Sequence, residues 1–151
     1  MKIANDQDLR AALDALPIAE QRVLGARFVE NVAHLCQEPV IQRALDVVKN
    51  SQLSPTELAQ VYKSVKSLAV QTYTNCGDET DWSEQAAHFV AIATRVCLTP
   101  EHQIGVKHNL AWKCAIQSRL AKNCEMIESR SGEVDNEAQK QYALAEKYFQ
   151  G

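Results

Sequence analysis

Glycine and proline are scarce, five and four in a chain of 151 residues, and no stretch alternates apolar with polar residues for long. Their absence excludes a fold built from strands and hairpins, which needs turn residues and a period of two. Positive charge is also short. The formal net charge is −3 and Lys and Arg never cluster in a run, so nucleic acid is not an expected partner. Nothing approaches the ~18–20 consecutive apolar residues that a membrane span requires. The opening MKIANDQDLRAALDALP lacks the basic start, apolar centre and cleavage site of a secretory signal, and no membrane partner is expected. G-x-S-x-G, phosphate-loop and dinucleotide fingerprints are missing as well, so no cofactor is expected.

Five cysteines, Cys36, Cys76, Cys97, Cys114 and Cys124, are an odd set without a C-x-x-C pair. Four fall inside or at the ends of apolar helical patterns. Buried free thiols in a reducing cytoplasm explain that placement better than a disulfide framework does, so a cytoplasmic location is expected.

What remains is helix. The composition, 46% hydrophobic and 23% charged, is that of an ordinary globular protein, and the length suits one domain over residues 1–151. The 3,4 spacing of apolar residues predicts helices over about 6–16 and 18–36, from Pro39 through Val48, and from Pro55 past Tyr73. Ser54, Pro55 and Glu57 form a capping box for the last of these, and Gly77 is placed to end it. Asp81 and Glu84 cap a fifth helix. Thr99 and Pro100 open a short segment that Gly105 interrupts, and longer patterns cover about 106–129 and 135–149. The 106–129 helix carries two apolar strips, a bulky one (Trp112, Ile116, Leu120, Ile127) and one of mostly small residues (Leu110, Ala111, Cys114, Ala121). Such a helix is central in a bundle. Small residues in the fifth helix (Ala86, Ala87, Ala91, Ala93) mark it as the partner. The fold class is all-α, a single compact antiparallel bundle of six or seven helices.

The stretch DETDWSEQAAHF, residues 78–89, gathers four carboxylates and a histidine. Glu84 and His88, four apart on a helix, are spaced to share one metal ion, and Glu84 is also placed to raise the pKa of His88 for acid–base work. The plainer reading, a capping box on a solvated face with an i,i+4 ion pair, is preferred, because one E-x-x-x-H recurs by chance in helices. Glu30 and His34 have the same spacing. If their faces turned toward the fifth helix, Glu30, His34, Glu84 and His88 would meet. His102 and His108 do not share a face. Glu125 and Glu128, followed by Glu133, Asp135 and Glu137, look like the Mg²⁺-binding acids of all-helical nucleotide pyrophosphatases, but the second set falls in a loop and a cap. Cys76, beside Gly77 at a helix end, is the thiol expected to be exposed. Trp82 is either an interaction anchor or a staple on the first turn.

The segments LGARFVENVAHLC, VIQRALDVVKNSQLSPTELAQVYKSVKSLA and EQAAHFVAIATRVCL follow one another in a helix order that resembles small all-helical immunity proteins of bacterial polymorphic toxin systems. The likeness spans about residues 24–120 and rests on helix order and composition. It implies a protein that caps a toxin and is not an enzyme. With no convergent catalytic set in the chain, a non-enzymatic protein-binding module, with another protein as partner, is the leading expectation. The alternatives are a metal-dependent hydrolase or small-ligand-binding bundle using Glu84 and His88, and an obligate homodimer with the two-faced helix at its interface.

Overall fold

Asn5, Ser54, Asp81, Asn109 and Asn136 each stand one residue before a helix, and each side chain accepts the backbone N–H three residues on. Caps of this kind satisfy otherwise unpaired donors and stabilise by about 1 kcal/mol each. The other two helices start at proline: Pro17 precedes one in extended conformation and Pro39 opens the next. The computed structural model describes residues 1–50, 53–73, 80–130 and 132–151. Among them are seven helices and no strand: α1 (Asp6–Asp14), α2 (Ile18–Glu30), α3 (Pro39–Lys49), α4 (Pro55–Gln71), α5 (Trp82–Cys97), α6 (Leu110–Ser129) and α7 (Glu137–Gln150). Short 3-10 turns lie at Ala33–Leu35 and Glu101–Gln103. No described helix is long and apolar enough to cross a membrane. Cys76, Gly77, Asp78 and Glu79, on which several sequence readings fell, lie outside the described residues.

The all-α expectation holds, and α6 is central. Its most extensive partner is α5, its next α2. The small strip makes this possible: Ala111, Cys114, Ala115 and Ala121 are fully buried, and Cys114 Sγ lies 3.0 Å from Cys97 Sγ of α5. On the other side α2 approaches through Gly25, where an added Cβ would lie 3.0 Å from Cys114 Sγ and 3.4 Å from Ala111 Cα. The bulky strip is the less buried one. Trp112 is half-buried between the guanidinium groups of Arg10 and Arg119, 5.0 and 5.4 Å from its ring centre, and Ile127 is 48% exposed. Small residues win the interior because two helices close on α6 at once, leaving no room there for long side chains.

Two apolar clusters flank α2. Its Ala26 and Val29 join Ile41, Leu45, Val65 and Val90 from α3, α4 and α5. Its Leu24 and Phe28 join Leu9, Leu13, Ala115 and Tyr142 from α1, α6 and α7. The second helix ends at Glu30, well short of residue 36. Asn31 turns its amide to Glu137 Oε2 at 2.7 Å, and Val32 leaves the helical region at φ −120°. The sixth helix begins at Leu110 because Asn109 caps it while donating to the Leu13 carbonyl (2.9 Å) and Asp14 (3.2 Å) of α1.

Candidate functional site

Asp81 caps α5, accepting the Glu84 N–H at 3.1 Å, and both carboxylates are exposed. His88, half-buried one turn on, directs Nδ1 to Thr72 Oγ1 at 3.0 Å and sits edge-on to the Tyr73 ring. Burial, and then the charge of Arg95, lower its pKa below the usual histidine range, and Glu84 has no part in the shift. The other predicted pair opens outward. Glu30 binds Lys49 Nζ at 2.8 Å, and His34 Nε2 lies 2.8 Å from Glu125 of α6. Thus Glu30, His34, Glu84 and His88 each have separate surroundings. Among the described residues no group of three or more His, Cys, Asp or Glu is placed to hold a metal ion.

The later acidic cluster is held by lysines. Lys122, buried on α6, donates to Glu125 (2.6 Å) and to Asp135 (3.0 Å), and Lys140 reaches Asp135 at 2.7 Å. Burial alone would lower the pKa of Lys122, yet its two hydrogen-bonded carboxylates raise it. Glu137 is different. It is 4% exposed, Oε2 accepts from Asn31, Oε1 has no partner among the described residues, and burial raises its pKa. Trp82, the first residue of α5, is half-buried.

The feature that sequence reasoning missed lies at the opposite end of α5. Gln21 and Arg22, in the second turn of α2, are both buried. Gln21 bridges the Leu16 carbonyl (2.8 Å) and the Leu110 N–H (3.0 Å). Arg22 is 7% exposed and donates from Nη1 to the Cys97 carbonyl at 2.8 Å, on one of the helix-terminal oxygens that lack an intrahelical donor. Its side chain forms part of the wall of a cleft of about 640 Å³ between the start of α2, the end of α3, the start of α4 and the Pro100–His102 segment.

No family model, curated protein or solved structure matches the chain. The cleft is therefore read from its own chemistry. Ile18, Val23, Val48, Leu53, Leu58 and Pro100 supply an apolar wall. The polar groups of the lining are Glu20, Arg22, Asn50, Ser54, Glu101 and His102. Burial lowers the pKa of Arg22, and the charge of Glu101 acts against that shift. The guanidinium stays protonated in any protein setting. Mainly apolar walls with a few directed polar groups are the chemistry of a small-ligand site. A lone arginine near the start of a helix carries no periodic signal for this. Its role depends on where the end of α5 lies, and that requires the fold.

Proposed function

We propose that this chain is a binding protein that takes a small, mainly apolar ligand in the cleft between α2, α3, α4 and Pro100–His102. The observation carrying this reading is the cleft itself: its volume of about 640 Å³ falls within the ~300–1,000 Å³ of small-molecule sites. Ser54 caps α4, prolines open α2 and α3, and the core lies behind all three, which supports a preformed site. The test is titration with a neutral naphthylamine dye that brightens in apolar surroundings. Saturable one-to-one binding is expected in the native protein. It should be lost in Ala59→Trp, which fills the cleft from an exposed wall position and leaves the circular dichroism unchanged. A dye that ignores the native protein, or binds both proteins equally, refutes the reading.

A second reading, the toxin-neutralising protein binder, is favoured by Val70 and Tyr73, which stand 70% and 68% exposed at the end of α4. Trp82 begins the helix that follows. The experiment is co-expression with a product of an adjacent gene that is toxic alone. Protection that disappears in Val70→Ser/Tyr73→Ser supports this reading, and protection unaffected by the substitutions removes it from that surface.

A further inference from the structure

We infer that the ligand of this cleft is an amphipathic organic anion, an alkyl chain ending in one carboxylate, with Arg22 as its head-group anchor. The inference rests on the cleft being the ligand site, as proposed above.

Two other inward cations of this protein each face a carboxylate. Lys122 is held by Glu125 and Asp135 at 2.6 and 3.0 Å. Arg119, half-buried beside α1, is gripped by both oxygens of Asp6 at 2.8 and 3.0 Å. Arg22 is buried to a similar degree as Lys122, yet among the described residues it has no carboxylate partner. One of its five N–H donors is used, on the uncharged Cys97 carbonyl. No Arg22 nitrogen is a fully buried atom without a partner, so its unused donors stay open to solvent, where an anion can take the place of water. Neither carboxylate of the lining fills that role: Glu101 is exposed and acts on Arg22 only through space, and Glu20 is exposed and accepts from the Tyr148 hydroxyl at 3.3 Å. An anion entering the cleft would give Arg22 the carboxylate partner that Lys122 and Arg119 already have.

The remaining walls decide what else that anion carries. Ile18, Val23, Val48, Leu53 and Leu58 present only aliphatic carbon. They favour a hydrocarbon body, with Glu20, Asn50, Ser54 and His102 as the further polar groups of the lining. A planar carboxylate matches the fork of a guanidinium, so the head group and the anchor are complementary. Glu101, at the rim, opposes the anion and sets how strongly it is held. The other role open to Arg22 is purely structural, as the group that ends α5 through the Cys97 carbonyl.

Isothermal titration with decanoate, decanol and decylamine separates these roles. Decanoate should bind at least about tenfold tighter than decanol, as expected for one charge-assisted hydrogen-bonded pair, and decylamine should bind most weakly. Arg22→Met should bring decanoate down to the level of decanol. Glu101→Gln should strengthen decanoate roughly two- to fivefold, the effect of one exposed charge, and this variant carries the test if Arg22→Met fails to fold. Equal affinity for decanoate and decanol in the native protein, or an undiminished preference in Arg22→Met, overturns the inference and leaves the cleft as a site. Absence of binding by all three probes overturns both.

Discussion

Replacing Gly25 by valine tests the contact that places α2, and therefore Arg22, against the rest of the bundle. The Cβ of any residue there would lie 3.0 Å from Cys114 Sγ and 3.4 Å from the Ala111 backbone, closer than side-chain atoms normally sit. Valine adds two further carbons to a site already filled on both sides, and α2 must move outward or Cys114 must leave its rotamer. Overpacking of this sort costs about 1–3 kcal/mol. For a chain of this length that corresponds to a fall of roughly 2–12 °C in Tm. Equilibrium urea unfolding under reducing conditions would show a lower midpoint with an unchanged slope. Cys114→Ala removes the sulfur that valine meets. In that background the cost of Gly25→Val should shrink by about 1 kcal/mol, a coupling expected only of groups in contact. Additive effects of the two substitutions would refute the close approach of α2 and α6.

Three further outcomes follow from named groups. Asn109→Ala removes the α6 cap and also the donor to the buried Leu13 carbonyl, so it should cost roughly 2–4 kcal/mol in urea unfolding. Asn136→Ala, which loses a cap alone, should cost about 1. Glu137 titrates higher in the folded protein than unfolded, so the folded state holds its proton more tightly; any stability from that proton is present below the unfolded pKa and is lost as pH rises through the folded pKa. Glu137→Gln should therefore raise stability at pH 7 relative to the native protein and flatten the loss between the two pKa values, measured by urea midpoints from pH 4 to pH 8; an unchanged profile would contradict the buried carboxylate. Cys36, Cys97, Cys114 and Cys124 are all buried, and burial pushes the Cys114 thiol well up. Brief iodoacetamide treatment followed by peptide mapping should leave all four unmodified in the native protein and label them in urea, and native labelling of Cys114 would place it elsewhere than in the core.

Capping and the pairing of α5 with α6 were legible in the residues, and for local reasons. Ser54–Glu57 and Asp81–Glu84 complete their motifs within one turn, and small residues on two helices leave few other ways to pack. Three features were not legible. The break after Glu30 depends on Asn31 reaching α7, 106 residues later. Which strip of α6 is the more buried was not legible, because that depends on two neighbours pressing on the small strip at once. Lys122 is buried because Glu125, one turn on, and Asp135, from the loop before α7, neutralise it, and no periodicity points to Asp135. Arg22 belongs with these. Its bond to Cys97 spans 75 positions, and the cleft beside it is made from four segments whose ends meet only in the folded chain. Of the histidine–carboxylate pairs only Glu84 and His88 share a helix; α2 ends at Glu30, so Glu30 and His34 fall on different elements and pair with Lys49 and Glu125.

Methyl-resolved NMR during titration with decanol addresses the ligand site directly, whatever head group proves best. Resonances of Ile18, Val23, Val48, Leu53 and Leu58 should shift together and saturate, with Leu144 of α7 and Ile116 of α6 unmoved. Shifts centred on Val70 at the far end of α4, or no saturable shift at all, would contradict the account.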